Sequence, residues 1–129
     1  MSNDMILKDV RQYLIDEEVA SSGSIFIGNM DNSGIILTTG GNESQDMYQG
    51  LRYETIDFWV RNASYEAGYQ QARDIIDLLH RLSNWETTNY HVFFSHALGG
   101  VEDLDRDGEG KKIFKVSIRF IFRNLTDIS

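Results

Sequence analysis

The segment KIFKVSIRFIFR (Lys112–Arg123) constrains the architecture more tightly than any other part of this chain. Read with a period of two, one face carries Phe114, Val116, Ile118, Phe120 and Phe122, and the other Ile113, Lys115, Ser117, Arg119 and Ile121. Alternate side chains of a strand point to opposite sides, so the segment lays its phenylalanines and their apolar neighbours on one side. Helical spacing would scatter the same residues around an axis and bury Lys115 and Arg119 among them. The pattern predicts a long strand of an antiparallel sheet, apolar on one face and wetter on the other.

An apolar face needs a cover, and the best candidate lies upstream. Ser64 is placed to cap a helix, with Glu66 in its first turn where the helix dipole favours a carboxylate. Gly68, Ala72, Ile75, Ile76, Leu79 and Leu82 then form one stripe, and Gln70, Gln71, Arg73, Asp74, Asp77 and Arg81 largely fill the rest. The small residues early in the stripe would let that end approach the sheet closely. A first helix is expected from Ile6, Leu7, Val10, Tyr13 and Leu14, capped by Asn3 or Asp4 and fraying near Val19, because Asp16, Glu17 and Glu18 oppose the dipole. Ile25–Ile27 and Ile35–Thr39 flank the turn-rich GNMDNSG and are expected to form a hairpin ended by Gly40 and Gly41. Leu51–Asn62 and Tyr90–Leu98 read as strands, Ser83–Asn89 as a linker, and Gly41–Gly50 and Gly99–Lys112 as loops. The expected fold is α+β: one domain over residues 1–129, a single mostly antiparallel sheet of about five strands with two helices on one face, in the order α-β-β-β-α-β-β.

Composition narrows the function. The chain has 129 residues, 41% hydrophobic and 25% charged, which suits a globular domain with a real core. No apolar run approaches the roughly 20 residues of a membrane span, and no signal peptide is visible, so a cytosolic protein without membrane contact is expected. Cysteine is absent, which removes disulfides and thiolate metal sites. A net charge of −8 with dispersed Lys and Arg argues against wrapping nucleic acid.

Few residues suggest chemistry. Asp103-Leu104-Asp105-Arg106-Asp107-Gly108-Glu109 resembles the start of a calcium loop, since alternating carboxylates on a turning backbone aim hard oxygens at one point. Phe114 stands where the bidentate Glu is needed and strands flank the segment, so a solvated hairpin loop outweighs a weak metal site. His91 and His96, five apart on a strand, are expected on opposite faces, and His80 beside Asp77 reads as a surface histidine. Asp57 is expected to pair across strands with Lys115 or Arg119. No acid, base and nucleophile converge, so neither an enzyme nor a cofactor is implied. Tyr48, Trp85, Tyr65 and Tyr69 lie off the apolar stripes, as rim or as contact residues.

Several strings are similar to the tail-terminator family of long-tailed bacteriophages, whose members are often labelled minor capsid or tail-completion proteins. They are IDEEVA (Ile15–Ala20), SIFIGNM (Ser24–Met30), IILTTGG (Ile35–Gly41), KVSIRFIFR (Lys115–Arg123) and above all IDFWVRNASYEAGYQQARDIIDLL (Ile56–Leu79). The last joins a strand to a helix through Arg61, Ser64, Tyr65 and Gly68. The resemblance implies a virion part assembled in the host bacterial cytoplasm. It would form a ring with copies of itself, usually hexameric, on the head-proximal end of the tail. The ring would stop addition of the major tail-tube protein and offer a surface to the head-completion (stopper) protein, while DNA passes without specific binding. The ring contacts are expected at Asp103, Leu104, Asp105 and Asp107 in one loop and at Met47 and Tyr48 in another, with Trp85 a further contact. The alternatives are another head–tail or tail-tube ring component, or a small calcium-binding interaction module.

Overall fold

A computed structural model describes residues 6–28, 34–43, 51–104 and 110–125, with the backbone alone at 41–43. The elements are α1 (Ile6–Asp16), a 3-10 turn (Ser22–Ser24), β1 (Ile25–Ile27), β2 (Gly34–Glu43), β3 (Arg52–Asn62), α2 (Tyr65–Leu79), β4 (Leu82–Glu86), β5 (Tyr90–Ala97), β6 (Glu102–Leu104) and β7 (Lys112–Asn124). The expected sheet and order are therefore corrected. The seven strands form one mixed sheet, ordered β1-β2-β3-β7-β5-β4, with β6 also paired to β7.

Three local causes explain the difference. The first is β1, which runs parallel to β2 (Ile25↔Ile35, Ile27↔Leu37), so no hairpin forms there. Parallel neighbours normally need a long crossover, but a three-residue strand spans only about 10 Å, within reach of a short connection. Gly28 (φ 78°) and Gly34 (φ 121°) bracket that connection, and a Cβ on Gly34 would lie 2.4 Å from the Ser24 carbonyl oxygen. The second is β2, which does not stop at Gly40 but bulges there, its register with β3 shifting between Thr39 and Gly41. A side chain at Gly40 would strike the Asp57 carboxylate at 2.7 Å, so the bulge makes room for that group. The third is pairing supplied from elsewhere. Leu82–Glu86 is a strand because β5 pairs with it, although Asn84 (φ 52°) breaks the alternation a strand would show. Glu102–Leu104 is a strand because β7 extends past β5 and offers it an edge (Asp103↔Phe114).

The centre of the sheet matches the pattern in the sequence. Phe114, Val116, Ile118, Phe120 and Phe122 of β7 are buried beside Ile56, Phe58 and Val60 of β3. Helix α2 roofs them with Ala72, Ile75, Ile76 and Leu79, and the buried residues of α1 join the same cluster. Ser64 caps α2 by accepting from the Ala67 amide at 3.3 Å. A Cβ on Gly68 would stand 2.9 Å from the Phe114 ring, so the first turns of α2 sit directly on the strand. Leu82 leaves the helical stripe because α2 ends at Leu79. The hydroxyl of buried Ser95 donates to the Leu79 carbonyl at 2.7 Å, and His80 Nδ1 accepts from the Ala97 amide at 3.0 Å.

Helix α1 does not simply fray. Val19 N–H donates to Leu14 O and Glu18 N–H to Ile15 O, both at 3.0 Å, a Schellman closure with Val19 turned onto the core. Glu18 takes the left-handed position (φ 61°) where glycine is usual, at a cost of about 1 kcal/mol. This helix also ties the sheet's two edges together. Arg11 donates to Ile25 O of β1 at 2.9 Å. On the far side Asp9 accepts from Thr87 Oγ1 at 2.6 Å, and Tyr13 stacks on Trp85 of β4 at 4.8 Å.

Among the described residues, one charged residue is buried on the inner face. Glu54 continues the parity of Ile56 and Phe58 and is 9% exposed. Burial, outweighing the Thr39 hydrogen bond and Arg52, raises its carboxyl above the ordinary 4.5. A raised folded pKa means that ionisation opposes folding, so this contribution to stability falls as pH climbs through 4.5. Glu54→Gln is therefore expected to melt above the wild type at pH 7, with the gap closing below about pH 4; a gap independent of pH would show that the charge is not responsible.

Candidate assembly interface

Of the residues singled out for contact, the described ones, Asp103, Leu104 and Trp85, do not converge. Asp103 and Leu104 lie in β6 opposite Phe114 and Ile113, whereas Trp85 lies in β4, whose partner Val92 faces Phe122. Phe114 and Phe122 are eight strand positions apart, about 27 Å. Met47, Tyr48, Asp105 and Asp107 lie outside the described residues.

Asp103 is engaged within its own chain. Its carboxylate accepts from the Tyr65 hydroxyl at 2.8 Å and forms an ion pair with Lys112, which also donates to Leu104 O. The Lys112 ammonium lies over the rings of Tyr65 and Phe114, and Tyr65 and Tyr69 meet Phe114 edge-on. The cluster thus fastens the root of the β6–β7 hairpin to the start of α2. Hydrogen bonds from Lys112 and Tyr65 hold the Asp103 carboxyl below its ordinary value, and the same bond lifts the Tyr65 phenol. Trp85 is half-buried between Tyr13 and Phe120, a rim residue of the core.

The two strand histidines are corrected. A bulge between Val92 and Phe94 adds one residue, so Ser95 rather than Phe94 turns inward. His91 and His96 then stand on the same face, in register with Arg123 and Arg119. Four positions of β7 still separate them, about 14 Å, too far to share an ion. His91 Nδ1 lies 3.3 Å from Glu86. Asp57 pairs as expected, with Lys115 Nζ at 3.8 Å, and accepts from Ser117 Oγ at 2.7 Å.

The face carrying these groups is the one the sequence marked only as wetter. Lys115 stacks over Trp59 at 4.9 Å and Arg119 over Tyr53 at 5.0 Å. Trp59 Nε1 donates to Thr38 Oγ1 at 2.9 Å. Ile36, in register with Phe26 and Trp59, is wholly buried on this side although it belongs to no helix-covered cluster. The signal was present as aromatic and cationic residues at the outward positions of β3 and β7.

A two-layer module with no converging acid, base and nucleophile among its described residues, and with two broad faces of different character, is an architecture suited to assembly. The family model of the bacteriophage tail terminator protein matches residues 13–124, and the chain belongs to that family. It is a phage tail structural protein and a virion component. A chain from the "Virion of native gene transfer agent (GTA) particle" shares the fold, with a TM-score of 0.57 and 9% identity over 91% of this chain and 96% of that one. No curated protein matches the sequence.

The Asp103 cluster makes a testable statement. Replacing Asp103 with Asn should bring the Tyr65 phenol back down toward 10.0, read by ultraviolet pH titration against a Tyr65→Phe control. An unmoved titration would mean that the hydrogen bond does not govern the phenol.

Proposed function

We propose that this chain closes the tail tube: copies of it form a ring on the head-proximal end, halt addition of tube subunits and present the surface that joins the filled head. The observation that carries this reading is the family match over residues 13–124. The form of the molecule supports it. Closed rings use heterologous contacts, so each subunit must offer two different, complementary patches, and a two-layer slab does so naturally. The strands β1 and β4 leave sheet edges at either side, each tied down by α1 rather than by another strand. The net charge of −8 suits a channel through which DNA slides without sticking. Among the described residues no helix is long and apolar enough to cross a membrane.

The acidic hairpin of Asp103, Leu104, Asp105 and Asp107 is the proposed contact to the tube or head partner, with Met47 and Tyr48 at a second place. Asp103 anchors the hairpin root, and Asp105 and Asp107 are the proposed groups that meet the partner. Trp85, half-buried beside Tyr13, is a further proposed contact. Electron microscopy of purified protein, alone and with tube protein, tests the function. Rings alone and capped, length-arrested tubes in the mixture are expected. Self-assembly into long tubes would instead mark a tube subunit. Asp105→Lys with Asp107→Lys should weaken capping or head joining while leaving the melting temperature in place.

A further inference from the structure

Helix α1 differs in character on its two flanks. Arg11 turns to the β1 side, where its guanidinium meets the Ile25 and Ser22 carbonyls. Asp9, Tyr13 and Asp16, spaced four and three apart, line up on the β4 side. With Trp85 and Glu86 of β4 they line a groove of about 370 Å³, within the size range of pockets that hold a ligand.

The negative charge of this groove is uncompensated. Asp9 is held by neutral donors, the Thr87 hydroxyl at 2.6 Å and the Asn89 amide at 3.2 Å. Asp16 Oδ1 accepts from the neutral Gln12 amide at 2.8 Å, and Glu86 Oε2 lies 3.3 Å from His91 Nδ1. Asp16 Oδ2 and Glu86 Oε1 have no partner among the described residues. No lysine or arginine lines the groove, so even a protonated His91 would leave two of its three carboxylates without a cation.

Three further features point to what enters. Tyr13 stacks on Trp85 with ring centroids 4.8 Å apart, and rings bordered by carboxylates are a setting that holds a guanidinium or ammonium group. The Trp85 Nε1–H is buried and meets no acceptor, although buried donors are normally satisfied. The outer edge of β4, the last strand of the sheet, has no strand partner among the described residues. Charge alone would admit any cation. The strand edge and the unmet donor call for a peptide backbone.

We infer that the α1–β4 groove receives an extended basic segment of a partner protein, which adds to the edge of β4 and sets an arginine or lysine side chain among Asp16, Glu86, Tyr13 and Trp85. The inference rests on the reading of Trp85 as a contact and deepens it, but it needs neither a ring nor a tube. Main-chain pairing holds such a segment in place, and the carboxylates select a cation on it.

Titration of the full chain with an acetylated, amidated peptide, Thr-Thr-Arg-Thr-Thr, tests the inference, read by the amide and indole signals in nuclear magnetic resonance. Trp59→Phe identifies the signal of the other indole. The peptide should shift the Trp85 indole and the β4 amides saturably and leave β3 in place. The same peptide with Glu at its centre should shift neither. Asp16→Lys with Glu86→Lys should raise the dissociation constant about tenfold or more, with melting curves as the control for folding, and raised salt should weaken binding to the wild type. No saturable shift at millimolar peptide, an equal response to the Glu peptide, or binding that survives the double reversal would each overturn the inference. So would N-acetylarginine amide binding as tightly as the peptide, since the strand edge would then add nothing. Should the double variant not fold, Glu86→Gln decides, because that side chain is 62% exposed: unchanged affinity rejects the site, and weakened affinity supports it. Rings and capped tubes are read separately by microscopy, so failure here leaves the terminator reading standing.

Discussion

The ladder between β3 and β7 is the constraint on which the rest depends. It runs unbroken from Arg52↔Phe122 to Asn62↔Lys112. Its strict period fixes which side chains face the helices, because a slip of one residue would turn every phenylalanine of β7 to the other side. Burying each large apolar side chain is worth about 1.5–3 kcal/mol, so a slip exposing Phe114, Phe120 and Phe122 together would exceed the whole stability of an ordinary domain once their neighbours are included. Helix α2 locks the register from above through a fit that leaves no room for a side chain at position 68.

Away from this ladder the sheet keeps its parity by local departures. The β2 bulge at Gly40 seats the Asp57 carboxylate beside Ser117 and Lys115. The β5 bulge brings Ser95 inward, where its hydroxyl reaches a terminal carbonyl of α2 that would otherwise be buried without a donor. Both bulges exchange one regular ladder position for a satisfied polar group. The Glu18 turn does the same for α1, since a left-handed non-glycine residue lets two helix-end carbonyls find donors.

These departures mark how far the sequence was legible. Strand β7 and helix α2 were readable because their periods are long and nearly unbroken, and Ser64 announced its helix by local chemistry. The parallel pairing of β1 was not, because Ile25–Ile27 is too short to carry a direction and turn-rich residues on either side suit a hairpin equally well. Strands β4 and β6 were not, because each exists through the partner that pairs with it, and partners are distant in sequence. The same holds for the candidate contacts. Asp103 looked available as one of a run of carboxylates, yet Tyr65, thirty-eight positions upstream, already holds it. The cation and aromatic lattice on the open face was spelled out residue by residue, but its alignment across β2, β3 and β7 emerges only from the register.

That alignment decides the character of the sheet face away from the helices. An open sheet face made of aliphatic residues would associate without selecting partner or orientation. Here the large rings are capped by ammonium and guanidinium groups, so the surface offered to water is charged while the rings beneath stay fixed. Core and surface are thus consequences of one period-two pattern in which the inward positions build the core and the outward positions hold rings under cations.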